Sequence, residues 1–134
     1  MTALTKNVNR VYELKNMNTL PVAANVRIFK GAALGWASGY IRPLVAGDVF
    51  AGFAQREANN LGGAAGAIDV EIESDYRIAL DVGGITGTAN LPALVYASDD
   101  NTFTTTSSGN SLIGKAMRYQ DGKTIVHYNA TPTS

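Results

Sequence analysis

The sequence contains no cysteine and only one histidine among its 134 residues. Without cysteine the protein cannot form a disulfide, a thiolate metal site or a cysteine nucleophile. The single histidine, His127, leaves almost no material for the multi-histidine sites that bind zinc. We therefore expect neither a cofactor nor a metal ion.

Charged residues are also scarce, at 16% of the chain, against roughly 25% in an average domain. The 11 basic residues balance 11 acidic ones, so the formal net charge is zero. A chain without a basic excess is not typical of a nucleic-acid-binding protein, and we expect no nucleic-acid partner. Weak charge repulsion between copies favours self-association.

Long hydrophobic runs are missing as well. The longest apolar stretch, 91–97, has the size of a strand and falls far short of the ~18 residues that a spanning helix needs. Residues 1–15 carry lysine, arginine and asparagine, unlike the apolar core of a secretion signal. We expect a protein that is made and used in water, without a membrane partner.

What the sequence does contain is a series of short alternating segments separated by turn signals. The clearest is 67–74, where isoleucine and valine alternate with aspartate and glutamate. This pattern indicates one face on a core and one in water, and it favours antiparallel pairing. Pro43 cannot donate a ladder hydrogen bond, so segment 40–44 is predicted to lie at a sheet edge or to end at Pro43. Asp121 and Gly122 predict a hairpin turn into a closing strand.

Roughly eight to ten such strands predict one all-β domain: an antiparallel β-sandwich, a jelly roll or a small β-barrel. We place the domain at residues 21–134. Residues 1–20 are predicted to form an extended N-terminal arm, because Asn16, Asn18 and Pro21 interrupt any strand. The loop 59–66 has three glycines and is expected to be mobile.

Polar motifs that could carry chemistry have simpler structural explanations. His127 lacks a serine in a nucleophile-elbow pattern and is interpreted as a structural histidine that shares a strand face with Ile125. The acidic row along 69–75 is interpreted as a solvated strand face that discourages edge pairing. The Asp99 turn lacks the later glutamate of a calcium loop. We predict no catalytic residues and no enzymatic activity.

An ordered set of motifs follows Leu91: a strand ending in Val95-Tyr96-Ala97, the acidic turn Asp99-Asp100, the threonine-rich run 102–106, the segment GNSLIGKA at 109–116, and the hairpin at Asp121-Gly122. Upstream segments VAA (22–24), KGAALG (30–35) and AGDVFAGFA (46–54) complete the set. Together these motifs resemble the capsid cement, or head decoration, proteins of tailed bacteriophages. The resemblance covers most of residues 21–129.

The resemblance implies a virion structural protein on the outer surface of an icosahedral head, made in the host cytoplasm. Its implied partners are the major capsid protein, whose adjacent subunits it would clamp, and further copies of itself. A homotrimer is favoured and a homodimer is possible. Low charge suits this role, since interface cores are depleted in charged side chains.

Candidate contact residues with the capsid or with other copies are Val11, Tyr12, Leu14, Met17, Trp36 and Tyr40. The arm has too few apolar residues to fold alone, but it could add a strand to a partner's sheet edge. The alternative is an arm folded back on its own domain. A different function, a carbohydrate-binding β-sandwich module, would use Tyr12, Trp36 and Tyr40 as a stacking platform.

Overall fold

The computed structural model describes residues 6–7 and 17–130 of the chain. In chain order the strands are β1 (Met17–Pro21), β2 (Arg27–Ile28), β3 (Ala33–Ala37), β4 (Tyr40–Pro43), β5 (Val49–Ala54), β6 (Ala58–Asn59), β7 (Asp69–Glu73), β8 (Asp75–Leu80), β9 (Val82–Gly83), β10 (Ala93–Ala97), β11 (Phe103–Thr104), β12 (Ser111–Gln120) and β13 (Lys123–Asn129). A short 3-10 helix, Thr88–Asn90, lies between β9 and β10. The predicted all-β class is confirmed. Within the described ranges, no helix has the length and hydropathy to cross a membrane.

Five strands form an antiparallel sheet in the order β1-β7-β5-β3-β4, which we call the barrel sheet. The sheet curls into a half-barrel. At its open side Val22 forms a parallel bridge with Ile41, and the Ala23 amide donates to the Ile41 carbonyl at 2.8 Å. Apolar side chains fill the inside, and the small β2–β6 pair adds to them: Val22, Ile28, Ala32, Leu34, Ile41, Ala51, Ala54, Ala58, Val70 and Ile72.

Six strands form a second sheet in the order β8-β13-β12-β10-β11-β9, which we call the open sheet. Its pairs are antiparallel except β11 with β9. Its inner face packs against the outside of the barrel sheet. The centre of this contact is aromatic: the ring centroid of Phe53 lies 4.8 Å from that of Tyr128 and 6.0 Å from that of Phe103. Such ring pairs add about 0.5–1.5 kcal/mol each beyond the area they bury.

Strand β5 supplies both cores because it contains a bulge. Simple alternation predicts Val49, Ala51 and Phe53 on one face, and this prediction is wrong. Leu34 of β3 pairs with Gly52, whereas Gly35 pairs with Phe50, so one residue of β5 is extra. The extra residue turns Phe50 and Phe53 toward the open sheet and Ala51 into the half-barrel.

The first strand begins inside the predicted arm. Residues 17–20, assigned to the arm from sequence, pair with β7 in a register that runs from Met17 opposite Glu73 to Pro21 opposite Asp69. Asn18 and Pro21 do not interrupt the strand, because β1 lies at the sheet edge and Pro21 ends it. The rest of the arm, apart from residues 6–7, lies outside the described residues.

Several local predictions are confirmed. Strand β4 lies at the end of the strand order, as Pro43 indicates. Asp121 and Gly122 adopt left-handed conformations, φ +54° and +77°, as a type I′ hairpin turn requires. The loop 59–66, which is expected to be mobile, contains the buried Asn60. The Asn60 amide donates to the carbonyls of Ala23 and Ala64 at 2.8 and 3.0 Å.

Candidate interaction surface

The open sheet has a solvent-facing side that its strands build by alternation. In β13, Thr124, Val126 and Tyr128 point to the core, whereas Ile125 and His127 are directed outward. Because paired strands keep side chains of one face together, the outward residues of neighbouring strands lie side by side. We call this surface the outer face, made of Arg77, Leu94, Tyr96, Leu112, Lys115, Met117, Arg118, Ile125 and His127.

One row of the outer face crosses four strands. Arg77 of β8 lies opposite His127 of β13. On its other side His127 lies opposite Lys115 of β12, and Lys115 lies opposite Leu94 of β10. With strands about 4.8 Å apart, the row spans roughly 14 Å. The row therefore consists of three basic or polar side chains followed by one apolar side chain. His127 shares its face with Ile125, as expected, and that face is exposed to solvent.

The outer face also concentrates exposed apolar side chains. Leu94 is 49% exposed, Leu112 is 54% exposed and Met117 is 51% exposed. The half-buried Tyr96 lies directly opposite Leu112. Met117 projects from a second bulge, between Ala116 and Arg118. Single exposed apolar residues are ordinary, but several on one face are typical of a binding surface.

The charges of the outer face are unbalanced. Arg77, Lys115 and Arg118 form no ion pair with any carboxylate of residues 6–7 and 17–130. Elsewhere three arginines form ion pairs: Arg27 with Glu57, Arg42 with Asp48 and Arg56 with Glu71. At the margins of the outer face lie Asp75, which starts β8, and the Lys123–Asp81 pair at 3.0 Å. The outer face is therefore apolar at its centre and carries an excess of positive charge.

The three predicted contact residues that the structure describes, Met17, Trp36 and Tyr40, do not belong to the outer face. Met17 starts β1 and is exposed beside Glu73. Trp36 of β3 is half-buried against the core of the half-barrel, and Tyr40 of β4 is half-buried near Gly66. Strands β1 and β4 stand at opposite ends of the strand order. The other three candidates, Val11, Tyr12 and Leu14, lie outside the described residues.

The acidic row of segment 69–75 departs from its predicted exposure at one residue. Asp69 and Glu71 are exposed, but Glu73 is only 8% exposed, and its Oε2 atom has no hydrogen-bond partner among residues 6–7 and 17–130. All three point to the outside of the half-barrel, and the open sheet covers that side only near the end of β7. Glu73 lies opposite Phe53, which packs in the core between the sheets. Burial raises the pKa of Glu73.

Glu73 lines a cavity of about 300 Å³ between the two sheets. Tyr128 lines the same cavity, and burial, followed by the nearby Glu73 carboxylate, raises the pKa of its hydroxyl. The burial of Glu73 could not be predicted from the sequence pattern, because alternation alone assigns residue 73 to the same exposed face as residues 69 and 71. The one feature that indicates the site is the position of Glu73 at the end of β7, where the chain crosses to the open sheet.

The turn at Asp99 is the plain turn that its sequence predicts. The Asn101 amide donates to Asp99 Oδ1 at 2.8 Å, and the Thr102 hydroxyl donates to Oδ2 at 3.0 Å. The bond from the Asn101 amide is the main reason that the pKa of Asp99 is lowered. In the described part of the chain, no three histidine or acidic side chains gather as metal ligands would. Comparisons with protein-family models, curated proteins and solved structures gave no match.

Proposed function

We propose that this protein is a capsid decoration protein of a tailed bacteriophage, which binds the outside of the head and links adjacent major capsid subunits. The order of motifs from Leu91 to Asn129 suggests this class. The observation that carries the proposal is the outer face, a rigid sheet surface with exposed apolar side chains and unpaired cations. Such a surface is suited to binding another protein, and it needs no catalytic group.

The size of the outer face favours repeated weak binding. On strand β12 the outer face runs from Leu112 to Arg118, so the surface is about 20 Å long and 14 Å wide, or roughly 300 Å². A standard interface buries about 800 Å² on each partner. One copy therefore binds weakly, and linking copies in an oligomer raises the overall affinity without new contacts. This supports the proposed homotrimer, with a homodimer as the alternative.

The edge strand β1 supports a second contact. It ends the strand order of the barrel sheet, and the predicted arm leads directly into it. An extended arm that continues from an edge strand can pair with the sheet edge of a neighbouring subunit. We propose that the arm reaches across to an adjacent capsid subunit while the outer face holds the domain in place.

Co-sedimentation tests the proposal. Heads are assembled from the major capsid protein encoded in the same phage genome, mixed with this protein and pelleted. The unmodified protein should appear in the pellet. Leu112→Ser on the outer face should weaken binding, whereas Val49→Ser is the matched control, because Val49 is 72% exposed on the barrel sheet.

Two results would contradict the proposal. One is the absence of the unmodified protein from the pellet at any concentration below aggregation. The other is retention on immobilised polysaccharide together with no binding to heads, which would favour the carbohydrate-binding alternative. Light scattering on both variants checks that neither substitution changes the oligomeric state.

A further inference from the structure

The cavity beside Glu73 is a separate feature from the outer face. It lies where β7 ends and the chain crosses from the barrel sheet to the open sheet. Its volume of about 300 Å³ is at the small end of the range of ligand pockets. Lys30 and Gly31 of the β2–β3 turn line one side, and Gln55 lies next to them. Tyr76 of β8 lines the side formed by the open sheet.

The carboxylate of Glu73 is the only acidic side chain among the described residues that line this cavity. More than nine-tenths of the Glu73 residue is buried, and Oε2 accepts no hydrogen bond. A buried carboxylate is normally paired with a cation or fully hydrogen-bonded, because removing it from water is costly. Here that partner is missing within the described residues, and the Glu73 residue, whose unpaired Oε2 is closed to solvent, lines the cavity.

Aromatic rings form much of the remaining wall. Phe53 and Tyr128 meet edge to face with centroids 4.8 Å apart, and Tyr76 is 49% exposed at the cavity. The faces of such rings attract organic cations, and guanidinium groups also stack on them. A carboxylate among aromatic rings is therefore a site for a cation that carries an alkyl chain.

The charged groups around Glu73 do not already supply this cation. Lys30 and Arg77 line the cavity, and neither forms an ion pair with Glu73. Arg77 belongs to the outward row of β8, opposite His127.

We propose that this cavity binds an alkyl-guanidinium or alkyl-ammonium group, with the Glu73 carboxylate accepting its hydrogen bonds. The cation is either an arginine or lysine side chain of the bound partner protein or a free small amine. The first source rests on the proposed function, whereas the binding chemistry itself does not.

The chemistry can be tested on the protein alone, with n-butylguanidinium and n-butylammonium as probes. NMR of the protein labelled with ¹³C at the glutamate carboxyl carbons and at the tyrosine ring carbons should show saturable shifts at Glu73, Tyr76 and Tyr128, with a dissociation constant on the order of 1 mM. Binding should weaken as the pH falls through the raised pKa of Glu73, since the protonated carboxyl no longer attracts a cation. Glu73→Gln should abolish the saturable shifts at Tyr76 and Tyr128. Glu71→Gln, on the exposed face two residues away, should leave them unchanged.

The two sources of the cation give different results with assembled heads. A partner side chain predicts that Glu73→Gln lowers co-sedimentation at least several-fold, whereas Glu71→Gln does not. A free amine predicts unchanged co-sedimentation while the probes still bind the unmodified protein. Probe binding that fails in the unmodified protein, or persists in Glu73→Gln, overturns the proposal whether or not heads are bound. It is also overturned if Lys30→Met or Arg77→Gln raises the pKa of Glu73 strongly, since a cation of the chain itself would then fill the site.

Discussion

Replacing Glu73 by methionine should stabilise the protein at neutral pH. The carboxylate is buried, and within the part of the chain that the structure describes Oε2 has no hydrogen-bond partner, an arrangement that costs about 1–3 kcal/mol. Methionine has a similar length, and its apolar end can pack against Phe53 on the opposite strand. With an unfolding entropy of ~2.1 cal/mol/K per residue, a gain of about 2 kcal/mol raises the melting temperature by roughly 7 °C.

The pH dependence of this gain identifies its cause. Burial raises the pKa of Glu73 above its ordinary value of 4.5, so the folded state holds the proton more tightly than the unfolded state. The unmodified protein therefore loses stability as the pH rises from below 4.5 through the raised value. Glu73→Met removes that loss. The difference in melting temperature should be large at pH 7 and should shrink at pH 4, where the carboxyl is mostly protonated in both states.

Thermal denaturation followed by circular dichroism, from pH 4 to pH 8, measures the effect. Glu71→Met is the control, because Glu71 is exposed and pairs with Arg56 at the surface, where a pair contributes ~0–1 kcal/mol. A lower melting temperature for Glu73→Met at pH 7 would refute the reasoning. An increase of equal size at pH 4 and pH 7 would show that packing, rather than charge burial, is responsible.

Three further substitutions, one of them with a matched control, test the fold. Gly52→Ala should lower the free energy of unfolding, measured by urea denaturation, by about 2–4 kcal/mol. The φ of Gly52 is +124°, and a Cβ there would overlap the Glu73 carbonyl. Gly31→Ala is the control: its φ is +86° and the space around it is open, so the loss should be only about 1–2 kcal/mol. Asn60→Ala should cost about 1–3 kcal/mol and speed hydrogen exchange in the loop 59–66, since two carbonyls lose their donor. Asp48→Asn should lower the melting temperature at pH 7, and the difference from the unmodified protein should shrink in acid. The hydrogen bond with Arg42 lowers the pKa of Asp48. The stability that this carboxylate contributes is therefore present above its unfolded pKa and is lost as the pH falls through the lowered value.

The sequence predicts a strand well where apolar and polar residues alternate strictly. Segment 67–74 contains β7, Asp69–Glu73. The bulge in β5 could not be predicted in this way. It depends on how β3 and β5 pair, and local alternation cannot show that one strand has an extra residue.

The candidate sites depend even more on long-range pairing. Arg77, Lys115 and His127 are far apart in the sequence, and only the register of β8, β13 and β12 brings them into one row. The burial of Glu73 depends on where the open sheet covers the half-barrel. The sequence-based contact residues Met17, Trp36 and Tyr40 are aromatic or apolar residues selected singly, without knowledge of which face each strand presents.

A cryo-electron microscopy reconstruction of heads mixed with the protein tests the central claim most directly. We predict density on the outer surface of the capsid, bridging adjacent subunits, with the outer face of the open sheet turned toward the shell. Leu112 and Lys115 should then lie at the contact, and the half-barrel should point to solvent. Heads without added density, or copies that contact the shell only through the half-barrel, would contradict the account.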